Sequence, residues 1–319
     1  SILIGRTYIT LAGLGVVAYV FGLRHGLDAD HIAAIDNTTR KLMQEGKRPL
    51  AVGTWFSLGH STIVVAMILG LVAATKAVID AVPAAQNFGT VIGTTISGSF
   101  LWIIGLINLV IVLGIYRVLQ SLRHGMLNQR ELENLLDSRG FMTPYFKGVF
   151  RLVKRPWQIY PIGVLFGLGF DTASEVTLIA ISVGIGVTSD LPVWMILVLP
   201  AMFTCGMVLV DTIDAVAVRV AYDWALLNPI RKIYYNLTVT VISVLVAFLV
   251  GTVELLQVLS GELKLSGPFW SSLASLDFET LGLGIMFLFV ACWVVSMVYY
   301  RVRHFEDTIR FLESPKPSI

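Results

Sequence analysis

Seven apolar runs, each about as long as a bilayer is thick, decide most of what this chain can fold into. They cover roughly residues 8–34, 50–75, 91–116, 158–187, 191–218, 232–258 and 280–300. A spanning helix needs about 20 mostly apolar residues, and a backbone in hydrocarbon must satisfy its own hydrogen bonds. Runs of this length do so as helices. The sequence therefore predicts an all-α, polytopic integral membrane protein with a single transmembrane domain over residues 1–319 and seven spans. Composition agrees: 56% of the 319 residues are hydrophobic and only 14% charged, against roughly a quarter charged in soluble domains. The chain's environment is the lipid bilayer, and nothing in it suggests nucleic acid as a partner. The first run passes straight into a polar stretch without a small-residue cleavage site, which does not fit a cleaved signal peptide. Cys205 and Cys292 both lie in apolar runs and read as small buried residues, not as a disulfide or a thiolate metal cluster.

The linkers sort by charge. Segment 37–48 carries Arg40, Lys41, Lys47 and Arg48; segment 117–156 carries eight basic residues; 219–232 and the C-terminal tail carry seven more. These alternate linkers hold 19 of the 23 lysines and arginines, whereas 76–90, 188–190 and 259–279 hold only Lys76 and Lys264. By the positive-inside rule the basic set is cytoplasmic, which puts the C-terminus inside and residue 1 outside. The linker 117–156 is the one sizeable soluble part. Asn128 and Glu131 fit an N-cap and N3 pair and Gly140 a stop, which predicts a short amphipathic helix at about 128–138. Segment 259–279 reads as an external loop, and 314–319 as a tail without order.

One stretch breaks the apolar pattern. Phe21-Gly-Leu-Arg-His-Gly-Leu-Asp-Ala-Asp-His-Ile-Ala-Ala-Ile-Asp36 continues the first run yet carries Arg24, His25, Asp28, Asp30, His31 and Asp36. A single charged side chain at the centre of a span costs about 2.5–3.5 kcal/mol even on lenient insertion scales. Imidazole and carboxylate together are the ligand set of a borderline divalent metal such as nickel, cobalt or zinc. His25 and Asp28, and Asp28 and His31, each share a helical face. His25 and His31 are six apart and point about 120° apart on an ideal helix, so they meet on one ion only if the helix bends or unwinds. Gly22 and Gly26 mark where it would. The competing reading is a buried network, with Arg24 on Asp28 and a histidine on Asp30; the density of polar groups favours a metal or proton pathway.

Other spans add to it. His60 sits in Ser57-Leu-Gly-His-Ser-Thr62, open equally to interhelical hydrogen bonding and to a metal path. Asn108 reads as interhelical glue. Asp171 and Glu175 are four apart in the fourth span, and Asp211 and Asp214 three apart in the fifth, so each pair shares a face. Like charges on one face of low dielectric repel unless one is protonated or a cation lies between them. These four carboxylates are candidate members of a cation or proton path. Phe21–Asp28 is echoed by Phe166-Gly-Leu-Gly-Phe-Asp171 in the fourth span, which runs the opposite way. Three spans per unit would make this an inverted repeat, with the site near the midplane.

Several blocks resemble one family, the bacterial nickel/cobalt permeases of the NiCoT type. Arg24 to Asn37 is similar to the family signature, with His25, Asp30 and His31 at its His-x4-Asp-His positions. Phe56–Ser61, Leu168–Glu175, Gly206–Asp214 and Asn228–Asn236 resemble further family blocks. Gly26 stands where the family commonly has alanine, an exchange that would loosen the signature helix, and Ser174 where it commonly has threonine. The resemblance implies eight spans with both ends cytoplasmic and the signature in the second; barely twenty residues precede it here, so the family's first span is expected to be missing from this chain. It also implies a secondary permease, not an enzyme, moving Ni2+ or Co2+ into the cytoplasm as substrate, with no cofactor. His25, Asp28, Asp30, His31 and His60 would hold the metal, and Asp171, Glu175, Asp211 and Asp214 would line its route. No Walker motif occurs, so this chain hydrolyses no ATP, and no obligatory ATPase subunit is expected. The alternatives are an intramembrane zinc enzyme, which would want a motif such as His-Glu-x-x-His that is absent, and a metal sensor.

Overall fold

The structure, a computed structural model, describes residues 2–47, 49–73, 82–123, 153–169, 173–188, 192–226 and 229–302. The expected helix at 128–138, the tail and Asp171 lie outside the described residues. Every regular element among the described residues is helical. They are α1 (Ile2–His25), α2 (Ala29–Gln44), α3 (Val52–Ala73), α4 (Val82–Arg123), a 3-10 turn (Pro156–Ile159) leading into α5 (Tyr160–Phe166), α6 (Ala173–Thr188), α7 (Val193–Ile196), α8 (Val198–Leu226), α9 (Pro229–Glu262), α10 (Pro268–Ala274) and α11 (Phe278–Val302). Five stretches are long and apolar enough to cross a membrane: Val52–Gly70, Thr90–Gly114, Trp194–Ala221, Leu237–Glu262 and Phe278–Val298. Their outward faces, with Leu106, Leu245, Phe287 and Val295 exposed, are apolar as lipid contact requires.

Two of the seven expected spans are not continuous helices. The first is broken between α1 and α2, whose axes differ by 58°, and counts as a sixth span if Thr10–His25 and Ala29–Met43 are taken together. The chain tightens at the break: Leu27 N–H donates to Arg24 O and Asp28 N–H to His25 O, both at 3.0 Å, after which Asp28 takes an extended backbone (φ −59°, ψ 142°) and α2 begins. The expected fourth span is likewise divided. α5 ends at Phe166, Leu168 N–H donates to Leu165 O and Gly169 N–H to Phe166 O, and α6 starts at Ala173. Both breaks follow a Gly-Leu pair, Gly26-Leu27 and Gly167-Leu168. Broken helices at membrane depth are tolerated where protein or a polar cavity surrounds them.

The half-helices before the breaks are clasped by small residues. α1 crosses α8 where a Cβ on Gly22 would overlap the Phe203 carbonyl and one on Gly206 the Tyr19 carbonyl. α5 crosses α3 where a Cβ on Gly163 would overlap the Phe56 carbonyl and one on Gly59 the Tyr160 carbonyl. With no hydrophobic drive between helices in lipid, such close backbone approach supplies the packing energy. Two apolar cores result, one containing Ile32, Phe56, Leu101 and Phe166, the other Val64, Leu178, Leu199 and Phe203.

The first linker differs from its expected form. α2 runs on to Gln44, and Arg40 and Lys41, expected in a cytoplasmic linker, are fully buried. Arg40 Nε and Nη2 donate to Asp36 Oδ1 at 2.8 Å, and its guanidinium lies 5.3 Å from the centre of the Phe289 ring. Lys41 Nζ donates to Val153 O at 2.6 Å. Asn108 joins α4 to α2 as expected, its Nδ2 donating to Asn37 Oδ1 at 2.6 Å. The segment 259–279 is mostly structured, since α9 extends to Glu262 and α10 follows.

Gly163→Val is expected to destabilise the protein by about 1–3 kcal/mol or more, because the obstructing atoms are backbone. Gly284→Val, where nothing lies within 4 Å of the added carbon, should be near neutral. Thermal unfolding of the detergent-purified variants measures both.

Candidate metal centre

The break in the first span solves the spacing problem set by the sequence. His25 closes α1 and His31 lies in the first turn of α2, so the 58° bend swings the two rings together, with centroids 4.7 Å apart. His60, on α3, completes a triangle at 4.8 Å from His25 and 5.0 Å from His31. One ligand nitrogen of each lies within 4.8 Å of the others, and the three residues are at most 2% exposed. Among the described residues this is the one group of histidine, cysteine or acidic side chains so arranged. The α3–α5 clasp holds the third member: a Cβ on Gly163 would come within 3.1 Å of the His60 backbone nitrogen.

A carboxylate stands behind or beside each ring. His25 Nδ1 lies 2.9 Å from Asp28 Oδ2, and His31 Nδ1 lies 3.3 Å from Asp211 Oδ2. An ionised carboxylate only accepts, so with Asp28 and Asp211 ionised each of these Nδ1 atoms carries the proton and each Nε2 turns a lone pair inward. This is the arrangement by which proteins orient metal-binding imidazoles. Asp211 is itself held by Ser57, whose Oγ donates to Oδ2 at 2.5 Å. Asp28 opens α2 but makes no side-chain cap there; its carboxylate is spent on His25 instead. His25 Nε2 and His60 Nε2 face each other at 3.1 Å, and Glu175 Oε1 stands 3.5 Å from His60 Nε2.

The centre has more acceptors than donors. His31 Nε2, Asp28 Oδ1, Asp211 Oδ1 and both Glu175 oxygens are buried without a hydrogen-bond partner. Phe56 packs edge-on against His31 at 4.8 Å and Phe203 lies 5.4 Å from His25, one ring from each apolar core, so the imidazoles sit at the seam between the two. Inward lone pairs and orphaned carboxylate oxygens in a dry setting suit a borderline divalent cation.

The remaining candidates divide. Asp30 joins the turn and not the ring cluster: its Oδ1 accepts the His31 backbone N–H at 2.8 Å. Asp214, 8% exposed, lies a turn beyond Asp211 on α8, within electrostatic reach of Asp36 and Arg40. Asp36 is held by Arg40 and by Ser243, whose Oγ donates to it at 2.7 Å. The Arg24–Asp28 pair of the competing network reading is not among the ion pairs of the described residues; Arg24 pairs with Glu279 in the first turn of α11. Glu279 also accepts from Ser174 Oγ at 3.0 Å and so ties both broken spans to the last helix. Sequence reasoning missed it because an acidic residue at the rim of an apolar run looks like an ordinary helix start. It also passed over Glu254, which takes Ser97 Oγ at 2.9 Å on both oxygens and which the cost of a charge inside the sixth run would have flagged.

Comparison with known proteins agrees with this chemistry. Residues 11–299 match the NicO family, described as "High-affinity nickel-transport protein". The chain is 46% identical over 307 residues to the "High-affinity nickel transport protein" of Cupriavidus necator, covering 95% of this chain and 87% of that one. It is 46% identical over 299 residues to the "Nickel transporter NicT" of Mycobacterium tuberculosis, covering 92% and 80%. It is 34% identical over 303 residues to the "Cobalt transport protein NhlF" of Rhodococcus rhodochrous, covering 92% and 84%. No solved structure matches.

Titrating the purified protein with a divalent transition ion is expected to show one site per chain. Asp211→Asn, which removes the orienting charge behind His31, should weaken it about 10–100-fold. Isothermal calorimetry reads both.

Proposed function

The chain belongs to the NicO family of high-affinity nickel-transport proteins, and from that premise we propose that it carries Ni2+, with Co2+ as a competing substrate, through the three-histidine centre. The observation that carries this reading is the convergence of His25, His31 and His60 in a closed interior, each with a carboxylate close by. Metal–imidazole bonds are about 2.0–2.1 Å long. Two nitrogens 3.1 Å apart, like those of His25 and His60, then subtend roughly 95–102° at a shared ion. That angle suits a four- or six-coordinate divalent metal.

The burial of all three rings makes this conformation occluded. On one side the Arg24–Glu279 pair and Ser174 cover the break. On the other, Asp211 leads along α8 to Asp214, and beyond it Arg40 is pinned to Asp36. An incoming ion would be drawn by Glu279, shed water as imidazoles replace it, and leave past Asp211 and Asp214 once Arg40 yields. Asp28 and Asp211 hold the tautomers throughout, Asp30 steadies the turn, and Glu175 supplies further negative charge beside His60. Asp171 shares the block of Glu175 and is assigned to the same route. The alternate basic linkers support a cytoplasmic C-terminus, which puts Glu279 at the outer end of α11, and the proposed route from Glu279 to Asp214 then runs inward. A membrane potential of 100 mV gives a dication about 4.6 kcal/mol in that direction, enough to drive uptake without ATP.

The inverted repeat belongs to the same proposal. It is supported by the matching breaks after Gly26-Leu27 and Gly167-Leu168, by the reciprocal clasps of α1 on α8 and α5 on α3, and by the facing glycines of α4 and α9, where a Cβ on Gly98 would meet the Gly251 carbonyl at 3.0 Å and one on Gly251 the Gly98 carbonyl at 2.9 Å. Two such units rocking about the centre would expose it alternately to each side.

Cells making this protein are expected to accumulate radioactive nickel above empty cells, and His31→Ala at equal membrane abundance to abolish the difference. Accumulation that survives His31→Ala would contradict the route. Glu279→Gln, which removes an acidic group at the entry and also breaks the tie from Arg24 to the last helix, is expected both to raise the half-saturating nickel concentration and to lower the maximal rate. The same uptake assay run over a nickel series separates the two parameters.

A further inference from the structure

A basic pocket and an apolar groove adjoin one another away from the metal centre. A pocket of about 390 Å³ is lined by Lys47, Pro49, Lys154, Arg155 and Pro156. It adjoins an apolar groove of about 540 Å³ formed by Leu50, Trp55, Trp157, Tyr160 and Pro161, with Pro156 lining both. Leu50 and Trp157 are half exposed and Trp55 is 39% exposed. Cations and amphipathic aromatic rings meeting at one spot are the two halves of an interfacial lipid site: a charged head and an apolar tail.

The charged half is built, not merely basic. Gln158 Oε1 accepts the backbone N–H of Lys154 at 2.6 Å and of Arg155 at 2.9 Å, and Lys41 Nζ holds the carbonyl of Val153. The turn that presents the two cations is thus fixed before any ligand arrives, which lowers the ordering cost of binding. Glu45 is paired with Lys47 and lies 3.6 Å from Lys41 Nζ. Among the described residues Glu45 is the carboxylate set against Lys41 and Lys47, and with Lys154 and Arg155 also lining the pocket the excess charge is positive. The groove is as directly organised: Trp55 on α3 stands edge-on to Tyr160 on α5 at 6.4 Å, across the helix pair that the Gly59 and Gly163 crossing holds together.

We propose that this end binds one anionic phospholipid, its phosphate against Lys47, Lys154 and Arg155 and an acyl chain along Trp55, Trp157 and Tyr160. Charge complementarity selects an anionic head over a zwitterionic one, and the continuity of groove and pocket through Pro156 selects a lipid over a free anion. The bound lipid would brace α5, the half-helix whose Gly163 packs against the backbone of His60.

The test uses the full chain purified in detergent, with dioleoyl-phosphatidylglycerol and dioleoyl-phosphatidylcholine as probes. Native mass spectrometry should retain one phosphatidylglycerol per chain, and that lipid should raise the thermal midpoint more than phosphatidylcholine does. The double variant Lys154→Ser/Arg155→Ser should lose the preference by about tenfold or more, as removal of two interfacial charges implies, whereas Lys154→Arg/Arg155→Lys should keep it. Trp157→Ala should weaken retention of both lipids. Equal effects of the two lipids, a preference that survives in the serine variant, or an identical shift from glycerol phosphate without acyl chains would each overturn the assignment.

Discussion

Hydrocarbon offers no water to a broken helix, so the interruption at Gly26-Leu27-Asp28 has to be held by the protein around it, and most of the structure is arranged to do so. The tight turns of Leu27 and Asp28 recover two backbone bonds. The last helix comes so close that a Cβ on Gly282 would overlap the Leu27 carbonyl. Glu279 joins Arg24, at the end of α1, to Ser174, at the start of α6. What the break achieves is local: two histidines six residues apart, which a straight helix would send in different directions, come within one ring-width of each other. The third histidine then needs only the crossing of α3 and α5.

Charge inside this chain is handled by two different means. Around Asp36 it is neutralised by protein: Arg40 takes the carboxylate, Ser243 completes it, and Phe289 covers the guanidinium. Both Asp36 oxygens there have donors. Around the imidazoles, Asp28, Glu175 and Asp211 keep oxygens without partners, and the basic groups of the neighbourhood are engaged elsewhere, Arg24 with Glu279 and Arg40 with Asp36. A buried carboxylate deprived of a cation is costly. The contrast between a satisfied cluster and an acceptor-rich one, barely two turns of α2 apart, separates the place that holds the fold from the place suited to take up and release an ion.

Much of this was legible in the sequence, for identifiable reasons. Runs of spanning length announced the helices, and the six-residue spacing of His25 and His31 made a bend the condition for both to reach one ion. Asn108 was legible as glue because an amide in a span seeks a partner on another helix. Other parts were hidden. Arg40 and Lys41 read as linker because hydropathy registers their charge but not Asp36, Phe289 or the Val153 carbonyl, which come from the same helix, the last helix and the far side of a long linker. His60 stayed undecided since a lone histidine's role depends on which rings lie opposite. Asp28 and Asp30 were both read as metal holders, yet the turn geometry gives Asp30 to the backbone and Asp28 to an imidazole. Glu279 was invisible because its partners, Arg24 and Ser174, lie 255 and 105 positions away.

Whether three imidazoles share one ion is tested most directly by nickel K-edge X-ray absorption of the nickel-loaded protein. The expected spectrum has nitrogen ligands at about 2.0–2.1 Å, with outer-shell scattering from three imidazole rings that falls to two in His60→Ala. A first shell of oxygen alone, or imidazole scattering unchanged by His60→Ala, would contradict it.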